Sequence, residues 1–348
     1  MREFNYQNIK KMNWDTETLT YIAQIHELKG KQEIFENQKT ADLDKLIEIA
    51  KIQSTAASNI IEGIMTTTAR LKQLFKEKTS PKNRAEEEIA GYRDALNLIH
   101  ENYEYIDITP NYILQLHKIL YSHESSAIGG HFKNVQNYIT ASSESGTYTV
   151  FTPLAPYETA EAIKKICEEF NLAIAESEID PLILIPIFIH DFLCIHPFLD
   201  GNGRMSRLLT TLLLYKSRYY VGKFISLEAI IAKNKELYYN ALEQSQNDWH
   251  KGKDNPLPFI KYFLGVVISA YRELDDRISI ISNKKVSIKI VENIIENIIG
   301  IFNKQEIIKL SPNLSVSAIE KALAELVRQG KILKHGRGKS TFYIKTKK

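Results

Sequence analysis

The sequence predicts a mostly α-helical protein with one β-hairpin and a small, separate C-terminal unit. Three observations support this fold class. Residues 129–156 change from helical spacing to strand-like alternation around a turn-rich tip. Residues 284–348 contain helical segments followed by a strand–turn–strand. Elsewhere apolar residues recur mainly at helical spacing, as in Leu208, Leu209, Leu212, Leu213 and Leu214.

The chain of 348 residues is long enough for two or three domains, and its patterns indicate three. Residues 1–90 form an N-terminal helical region that ends near a charged break around Ser80. Residues 91–283 form a helical core, with a trailing helix predicted over residues 258–281. Residues 284–348 form the C-terminal domain.

Composition limits the class of protein. The main apolar run, residues 182–189, is far shorter than the ~20 residues that span a bilayer, so we expect no membrane contact. Cys167 and Cys194 are the two cysteines, which favours a reducing, cytoplasmic location over a disulfide-bonded scaffold. The histidines lack zinc-site spacings such as His-Glu-x-x-His.

Residues 196–207 read His-Pro-Phe-Leu-Asp-Gly-Asn-Gly-Arg-Met-Ser-Arg and lie between two apolar helical segments. Gly201 and Gly203 permit positive φ and allow a ligand to approach the backbone. A helix that begins near Gly203 would direct unpaired N–H groups into the turn and create an anion site suited to phosphate. Arg204 and Arg207 would share a helix face, so we expect both to reach the same anion.

Three further side chains of this segment fit phosphate chemistry. Asp200 would be repelled by a bare phosphate but suits Mg²⁺, which prefers one or two carboxylates plus phosphate oxygens. The Asn202 amide can donate to another oxygen, and His196 can take a proton from an attacking hydroxyl. A lone histidine before proline is usually structural, and a lone Gly-x-Gly is usually a turn. Their combination here favours nucleophilic attack on a phosphorus centre.

The pattern His-Pro-Phe-x-Asp-Gly-Asn-Gly-Arg-x-x-Arg, with every fixed position filled, resembles the signature of Fic-domain proteins. Most Fic proteins transfer AMP from ATP to a Ser, Thr or Tyr hydroxyl of a target protein. The resemblance implies a Fic-type helical core, with His196 as general base, Phe198 as a core anchor and Asp200 as the Mg²⁺ ligand beside the nucleotide. It also implies a set of residues around the phosphates: Gly201, Asn202, Gly203, Arg204 and Arg207.

A second motif lies at the end of a helical pattern that begins near Asp42. Ser58 and Glu62 are four positions apart and would share a face, and Gly63 is a plausible helix terminator. Taken alone, this is an ordinary helix end. Beside the Fic signature it resembles the inhibitory Ser-x-x-x-Glu-Gly motif of many Fic proteins. The resemblance implies that Glu62 pairs with Arg207, fills the space of the γ-phosphate and keeps the resting enzyme weakly active.

Residues 129–139 and 147–152 predict the two strands of the β-hairpin, for which a plain surface hairpin is the alternative interpretation. In Fic proteins a hairpin here covers the active site and holds the target by strand addition. The usual Gly-x-Tyr-Arg opening is replaced by residues 130–133, Gly-His-Phe-Lys, which leaves the target class open. The resemblance implies a flap formed by Thr147, Tyr148, Thr149 and Val150.

Residues 234–243 predict a helix that carries an adjacent tyrosine pair. Tyr238 and Tyr239 match the position where Fic proteins flank the adenine, and Gln246 matches a polar contact to the nucleotide. Tyrosine supplies an apolar face for stacking and a hydroxyl for bonding. The alternative is that the pair belongs partly to the core.

Residues 284–348 show the order helix, helix, helix, hairpin, which resembles a winged helix. They contain 14 Lys and Arg residues but only five Asp and Glu residues, whereas the whole chain has a net charge of +3. This concentrated basic charge favours contact with the phosphate backbone of DNA. A solvated module for docking another protein is the alternative.

Together, the residues and the resemblance to Fic proteins imply a cytoplasmic protein adenylyltransferase that uses ATP and Mg²⁺, is inhibited by Glu62, and acts on an unidentified target protein or on itself. Transfer of UMP or another phospho-group by the same site is one alternative. A DNA-binding regulator with a nucleotide-sensing Fic domain is another. Because Fic relatives often form dimers, we expect a homodimer, although no residue specifies its interface.

Overall fold

The structure is a computed structural model that describes residues 2–36, 41–76, 79–125, 128–143, 146–298 and 300–346. The chain divides into two units, residues 1–273 and residues 274–348. The described residues are mostly helical with two small antiparallel sheets, so the predicted mostly α fold class is confirmed. Among them, no helix combines the length and the apolar character needed to cross a bilayer.

The first unit contains the helices α1 (Thr16–Glu36), α2 (Ala41–Ile61), α3 (Thr68–Lys76), α4 (Arg84–Asn102), α5 (Pro110–Leu120), α6 (Pro156–Glu176), α7 (Pro181–Ile195), α8 (Asn202–Lys216), α9 (Val221–Phe224), α10 (Leu227–Lys233) and α11 (Lys235–Gln246). The helix α12 (Leu257–Asn297) begins in this unit. Helix α7 packs against α6, α8 and α11, and α2 packs against α4, α9 and α10. The N-terminal helix α2 is therefore part of the first unit and not a separate layer.

Helix α7 forms the centre of this unit because its sequence is almost entirely apolar. Asp180 caps the helix by accepting a hydrogen bond from the Leu182 backbone N–H at 2.9 Å, and Pro181 occupies the first helical turn. Every residue from Leu182 to Ile195 is buried. A helix that is apolar on all sides belongs in a protein interior, so its C-terminal end is held rigidly.

The hairpin consists of β1 (Ile139–Ser143) and β2 (Gly146–Phe151), paired antiparallel with Ala141 opposite Tyr148. The prediction that the first strand covers residues 129–139 is wrong, because that strand begins only at Ile139. Residues before it are bonded elsewhere, as the Lys133 backbone N–H donates to the Pro197 carbonyl at 2.8 Å. Residues 144–145 of the predicted tip lie outside the described residues.

The second unit contains the end of α12, the helices α13 (Lys304–Leu310) and α14 (Val316–Arg328), and the strands β3 (Ile301–Phe302), β4 (Ile332–His335) and β5 (Phe342–Lys345). The strands form an antiparallel sheet in the order β3-β5-β4. Ser315 caps α14, and Gly330, at φ 71°, follows its end. The buried core includes Val291, Phe302, Ile307, Ile319, Leu323, Leu326 and Ile332.

Two predicted domain boundaries fall inside helices. The end of the N-terminal region at residue 90 lies inside α4, and residue 283 lies inside α12, so neither position ends an element. The trailing helix was expected to stop near residue 281, but it continues to Asn297. Residues 266–298 contain neither glycine nor proline, so no residue there terminates the helix.

Candidate active site

The motif loop, residues 196–201, connects the buried end of α7 to α8. The first turns of α8 complete the motif up to Arg207. His196 terminates α7 in the left-handed conformation at φ 51°, and its backbone N–H donates to the Phe192 carbonyl at 2.9 Å. Gly201 has φ 82° and caps α8. A Cβ atom at Gly201 would lie 2.9 Å from the Tyr121 hydroxyl oxygen, so both its conformation and its packing require glycine.

The His196 imidazole is held in one tautomer and has a lowered pKa. Its Nδ1 lies 3.2 Å from the Leu193 carbonyl oxygen, a contact in which Nδ1–H donates and Nε2 carries the lone pair. Burial, assisted by the nearby Lys133 ammonium, lowers the pKa of His196 to about 4, although the bond to Leu193 opposes this. The imidazole is therefore neutral at pH 7 and can accept a proton at Nε2.

Arg207 binds the end of α2. Its Nε donates to the Ser58 hydroxyl at 2.8 Å, and its Nη2 donates to the Ser58 carbonyl at 3.0 Å and to Glu62 Oε1 at 2.7 Å. Burial alone would lower the pKa of Arg207, but the Glu62 carboxylate raises it. Both predicted inhibitory residues thus contact the arginine that the motif provides.

Glu62 also covers the N-terminal end of α8. Its carboxylate lies directly against the position where a Cβ atom of Gly203 would stand. The unpaired N–H groups and the positive end of the helix dipole are located there. The predicted anion site is therefore filled by a carboxylate of the chain itself.

The end of α2 places Glu62 through a glycine cap. The Glu62 and Ile64 backbone N–H groups donate to the Asn59 carbonyl at 3.1 and 2.9 Å. Gly63 has φ 79° and reverses the chain after the carboxylate. The Glu62 side chain keeps 33% of its surface exposed, whereas Ser58 is fully buried. The carboxylate is therefore held at the rim of the site.

Arg204 has different partners. Its Nη1 lies 2.7 Å from Glu88 Oε2, and its Nη2 donates to the Tyr121 hydroxyl at 2.8 Å. In this structure Arg204 and Arg207 do not share a carboxylate, because Arg204 pairs with Glu88 and Arg207 pairs with Glu62. That both arginines reach one phosphate stays a prediction. Helix α4 brings Glu88 to one side of α8, and the end of α2 brings Glu62 to the other.

Asp200 retains an open carboxylate, since 49% of its side chain is exposed. Its Oδ1 accepts from the Gly201 backbone N–H at 2.7 Å, and Oδ2 lies 3.6 Å from Arg204 Nη2. Within the described residues, no group of three or more His, Cys, Asp or Glu side chains could hold a metal. A single carboxylate nevertheless fits Mg²⁺ that arrives with phosphate oxygens as its other ligands.

Asn202 was expected to donate its amide to a phosphate oxygen, and the structure corrects this. Its Oδ1 accepts from the Phe198 backbone N–H at 2.9 Å, and its Nδ2 donates to the Phe198 carbonyl at 2.7 Å. Both polar atoms of the buried amide are therefore engaged with the loop backbone. The side chain of Asn202 therefore braces the loop from inside.

The two tyrosines of α11 occupy different environments. Tyr238 is buried, with its ring centroid 5.7 Å from that of Tyr262, and it lines a cavity beside Arg207. Tyr239 is 45% exposed, and burial together with the Glu62 charge raises its pKa to about 12. Tyr239 therefore has the more open face near the site. Gln246 ends α11, and in the described chain no hydrogen bond or ring contact joins it to the motif loop.

The hairpin presents an exposed strand. The predicted flap residues all belong to β2, and its base is fixed by Phe151, whose ring stacks 5.2 Å from His250. In the part of the chain that the structure describes, this sheet has two strands. The flap residues, exposed or partly exposed, are Thr147, Tyr148, Thr149 and Val150.

Three residues that hold the loop escaped sequence analysis. His117 donates from Nε2 to the Asp200 carbonyl at 3.1 Å. Lys133 Nζ donates to the Ile195 carbonyl at 3.0 Å, and Asn137 Nδ2 donates to the His196 carbonyl at 3.2 Å. These residues lie 59 to 83 positions away from their partners, so no local pattern could have linked them.

The fold is mostly helical, and the site combines an imidazole of lowered pKa with a helix N-terminus that a carboxylate of the same chain occupies. Comparison with known proteins identifies the domain that carries this site. Residues 107–214 match the Fic/DOC family, and the chain therefore carries a Fic domain. All motif residues from His196 to Arg207 lie within this match.

Two curated relatives have adenylyltransferase names. The chain is 28% identical over 163 residues to protein adenylyltransferase Fic of Drosophila yakuba, covering 46% of this chain and 31% of that protein. It is 27% identical over 139 residues to protein adenylyltransferase fic-1 of Caenorhabditis elegans, covering 39% and 25%. The match thus spans about a third or less of these relatives' length.

Solved structures support the fold. A Fic family protein from Desulfovibrio desulfuricans has a TM-score of 0.64 at 18% identity, covering 97% of this chain and 98% of that chain. Fic-1 from C. elegans has a TM-score of 0.60 at 19% identity, covering 75% and 73%. The predicted Fic-type helical core is therefore confirmed.

Proposed function

We propose that the protein is a protein adenylyltransferase that transfers AMP from ATP to a Ser, Thr or Tyr hydroxyl of a target protein. The names of the curated relatives and the complete motif support this function. The observation that carries it is a neutral, partly buried His196 within electrostatic reach of Glu62, which occupies the start of α8. Both buried cysteines are free thiols, which supports a cytoplasmic location.

In this mechanism His196 Nε2 takes the proton from the target hydroxyl as the hydroxyl oxygen attacks the α-phosphorus. The bond from the α-phosphorus to the bridging oxygen breaks, and pyrophosphate leaves. Arg207 and the N–H groups at the start of α8 bind the phosphates, while Arg204, held by Glu88, supports the loop from behind. Mg²⁺ bound to the phosphates and Asp200 would neutralise part of the triphosphate charge.

Glu62 inhibits this reaction by occupying the phosphate site. Its carboxylate forms the ion pair with Arg207 that a phosphate group of ATP would otherwise form. ATP that binds beside it is displaced from in-line geometry, and a misplacement of about 1 Å costs roughly 100-fold in rate. The resting protein is therefore weakly active.

Intact-mass analysis of Glu62→Gly protein with Mg²⁺ and ATP tests the transfer. Self-modification should add the mass of one or more AMP groups, and the same protein carrying His196→Ala should add none, because a general base contributes roughly 10² to 10⁴ in rate. Parallel incubations with GTP, UTP and CTP identify the donor. Labelling that persists at the same rate without His196 would refute the proposed mechanism.

The hairpin supports a role for the flap in target binding. Because β2 is exposed over four consecutive residues, an extended segment of the target can pair with it through backbone hydrogen bonds. Such pairing fixes the target hydroxyl near His196 without demanding a particular target sequence. Tyr148, at 54% exposure, is the largest exposed side chain on this strand and would contact the target directly.

A second function, DNA binding by the second unit, is supported by its charge. Residues 331–346, which include β4 and β5, contain five Lys and Arg residues and no Asp or Glu. A basic hairpin beside helices is typical of a wing that contacts the phosphate backbone. In fluorescence anisotropy, the full chain should bind duplex DNA with an affinity that falls steeply with salt, and Arg337→Glu should weaken it. Lys164→Glu is the control. Equal binding by both variants would exclude the hairpin formed by β4 and β5 as the DNA-binding surface.

A further inference from the structure

The segment between α5 and the hairpin, residues 130–137, is bonded to the backbone of the motif loop. The Lys133 backbone N–H donates to the Pro197 carbonyl at 2.8 Å, and Lys133 Nζ donates to the Ile195 carbonyl at 3.0 Å. Asn137 Nδ2 donates to the His196 carbonyl at 3.2 Å and to the Phe198 carbonyl at 2.9 Å. Four consecutive carbonyl groups around the proposed base therefore receive donors from one segment.

These carbonyls need partners from outside their own helix. The last carbonyl groups of α7 have no intrahelical N–H to bind, and they form the negative end of the helix dipole. Within the motif, Asn202 donates to the Phe198 carbonyl from the other side, whereas the described bonds to the Ile195, His196 and Pro197 carbonyls come from residues 130–137. A cationic donor at Ile195 matches both requirements, because it satisfies the carbonyl and complements the dipole.

Burial of the Lys133 ammonium costs free energy unless its hydrogen bonds to the motif loop offset that cost. Lys133 is only 3% exposed. Besides its bond to Ile195, Nζ donates to Asn137 Oδ1 at 2.8 Å. Among the described residues, no carboxylate forms an ion pair with it. Burial lowers the pKa of Lys133 to about 8, which reflects this cost. A lysine kept only for packing could be replaced by an apolar side chain with no such penalty.

His117 fixes the far end of the same loop. The Gly130 backbone N–H donates to its Nδ1 at 3.0 Å, so Nε2 carries the proton and donates to the Asp200 carbonyl at 3.1 Å. Its ring also stacks on Phe198 with 3.7 Å between centroids. Residues 130–137 thus hold the loop at both ends and lead directly to β1 at Ile139.

We propose that Lys133 is a positioning residue that fixes the backbone carrying His196 through Ile195 and Asn137. This inference rests on the proposed transferase function for its kinetic effect, but its structural effect stands alone. Lys133 touches the loop backbone and the Asn137 side chain in every described bond. These contacts act on the orientation of the base, and none of them is to Arg207 or to the backbone N–H groups at the start of α8.

Lys133→Met tests the proposal in the Glu62→Gly background, because methionine keeps most of the side-chain volume and removes the donor. The value of kcat should fall roughly 10- to 100-fold, since the loop is no longer held in reactive geometry, while KM for ATP changes less than about twofold. Lys133→Arg should recover most of kcat because it keeps a cationic donor. Lys164→Met, on the exposed face of α6, is the matched control and should leave both constants unchanged.

Hydrogen exchange of the loop amides, measured without nucleotide, separates this proposal from the proposed function. Lys133→Met should speed exchange across residues 196–203, and Lys164→Met should not. If Glu62→Gly protein transfers nothing, the proposed function fails, and the exchange result alone decides the role of Lys133. If Lys133→Met does not fold, Asn137→Ala provides the same test by removing the two bonds to His196 and Phe198. Unchanged loop exchange, or a raised KM with unchanged kcat, would overturn the proposal.

Discussion

Arg204 and Arg207 lie three positions apart on α8, and both are buried, but the two arginines have different partners. Arg204 is paired with Glu88, whose side chain is 7% exposed and which Arg84 also contacts at 3.1 Å. Arg207 is paired with Glu62, whose side chain is 33% exposed. The same residue type in the same helix therefore serves one closed ion pair and one open one.

The difference lies in the elements that provide the carboxylates. Glu88 is within α4, whose own hydrogen bonds fix its backbone on both sides. Glu62 follows the last residue of α2 and precedes Gly63, so its backbone is held by the helix on one side only. An ion pair that stabilises the fold benefits from a carboxylate held within a helix, as Glu88 is. An ion pair that a phosphate must replace requires a carboxylate at a helix end, as Glu62 is.

Glu88→Ala should have the largest effect on stability. Removing Glu88 breaks a buried ion pair, leaves Arg204 with only the half-exposed Asp200 carboxylate at 3.6 Å, and costs about 3–5 kcal/mol. Glu62→Ala should cost only about 1 kcal/mol, because water can enter the exposed site and Arg207 keeps both bonds to Ser58. Urea unfolding of the two variants measures this contrast. Equal losses would mean that the two pairs do not differ in the way proposed.

Glu62→Gly should give the largest increase in activity. Clearing the carboxylate frees Arg207 and the start of α8 for phosphates, and we expect the transfer rate to rise about 100-fold. Incorporation of labelled AMP measures the rate. Glu48→Gly is the control, because it also removes an exposed glutamate from the α2 region but does not touch Arg207. A gain in both variants would point to loosening of α2 and not to release of the anion site.

The sequence predicted those features that depend on neighbours along the chain. The buried helix α7, the turn at Gly201 and the Ser58–Glu62 helix end all follow from local spacing and composition. The contact between Glu62 and Arg207 came from resemblance, because 145 positions separate the two residues. That contact is present in the structure, although the roles of these residues in inhibition stay a prediction.

Long-range packing explains what the sequence could not indicate. Helical spacing placed Arg204 and Arg207 on one face, but only the positions of α4 and α2 determine that they diverge. Asn202 looked like a ligand donor because asparagine is polar, whereas its buried amide binds Phe198. The first strand begins only after residues 130–137 because these residues donate hydrogen bonds to the carbonyl groups of the motif loop. Nothing in their own sequence indicates these long-range bonds.

Ser58→Ala sharpens the comparison at a smaller scale. It removes the hydroxyl that accepts from Arg207 Nε at 2.8 Å, and a hydrogen bond to a charged group contributes about 1.5–3 kcal/mol. The end of α2 should hold the arginine less firmly, so basal AMP transfer should rise about tenfold. Ser54→Ala, one turn earlier and also buried, is the matched control and should leave the rate unchanged. Equal rates for both variants would show that the hydroxyl does not contribute to inhibition.

The pH dependence of transfer should show the smallest effect. Burial keeps the pKa of His196 at about 4, and the Glu62 charge acts in the opposite direction, so Glu62→Gly should lower that pKa further. The reactive form is the neutral base, which is lost only as the pH falls through the pKa of the folded protein. At pH 6, about 99% of the imidazole is then neutral, against about 24% for an unperturbed histidine. The kcat/KM of Glu62→Gly protein should therefore be the same at pH 6 and pH 8. A kcat/KM fourfold lower at pH 6 than at pH 8 would mean that water reaches His196 once Glu62 is gone. The solvent-exposed side of α8 would then extend to the base itself.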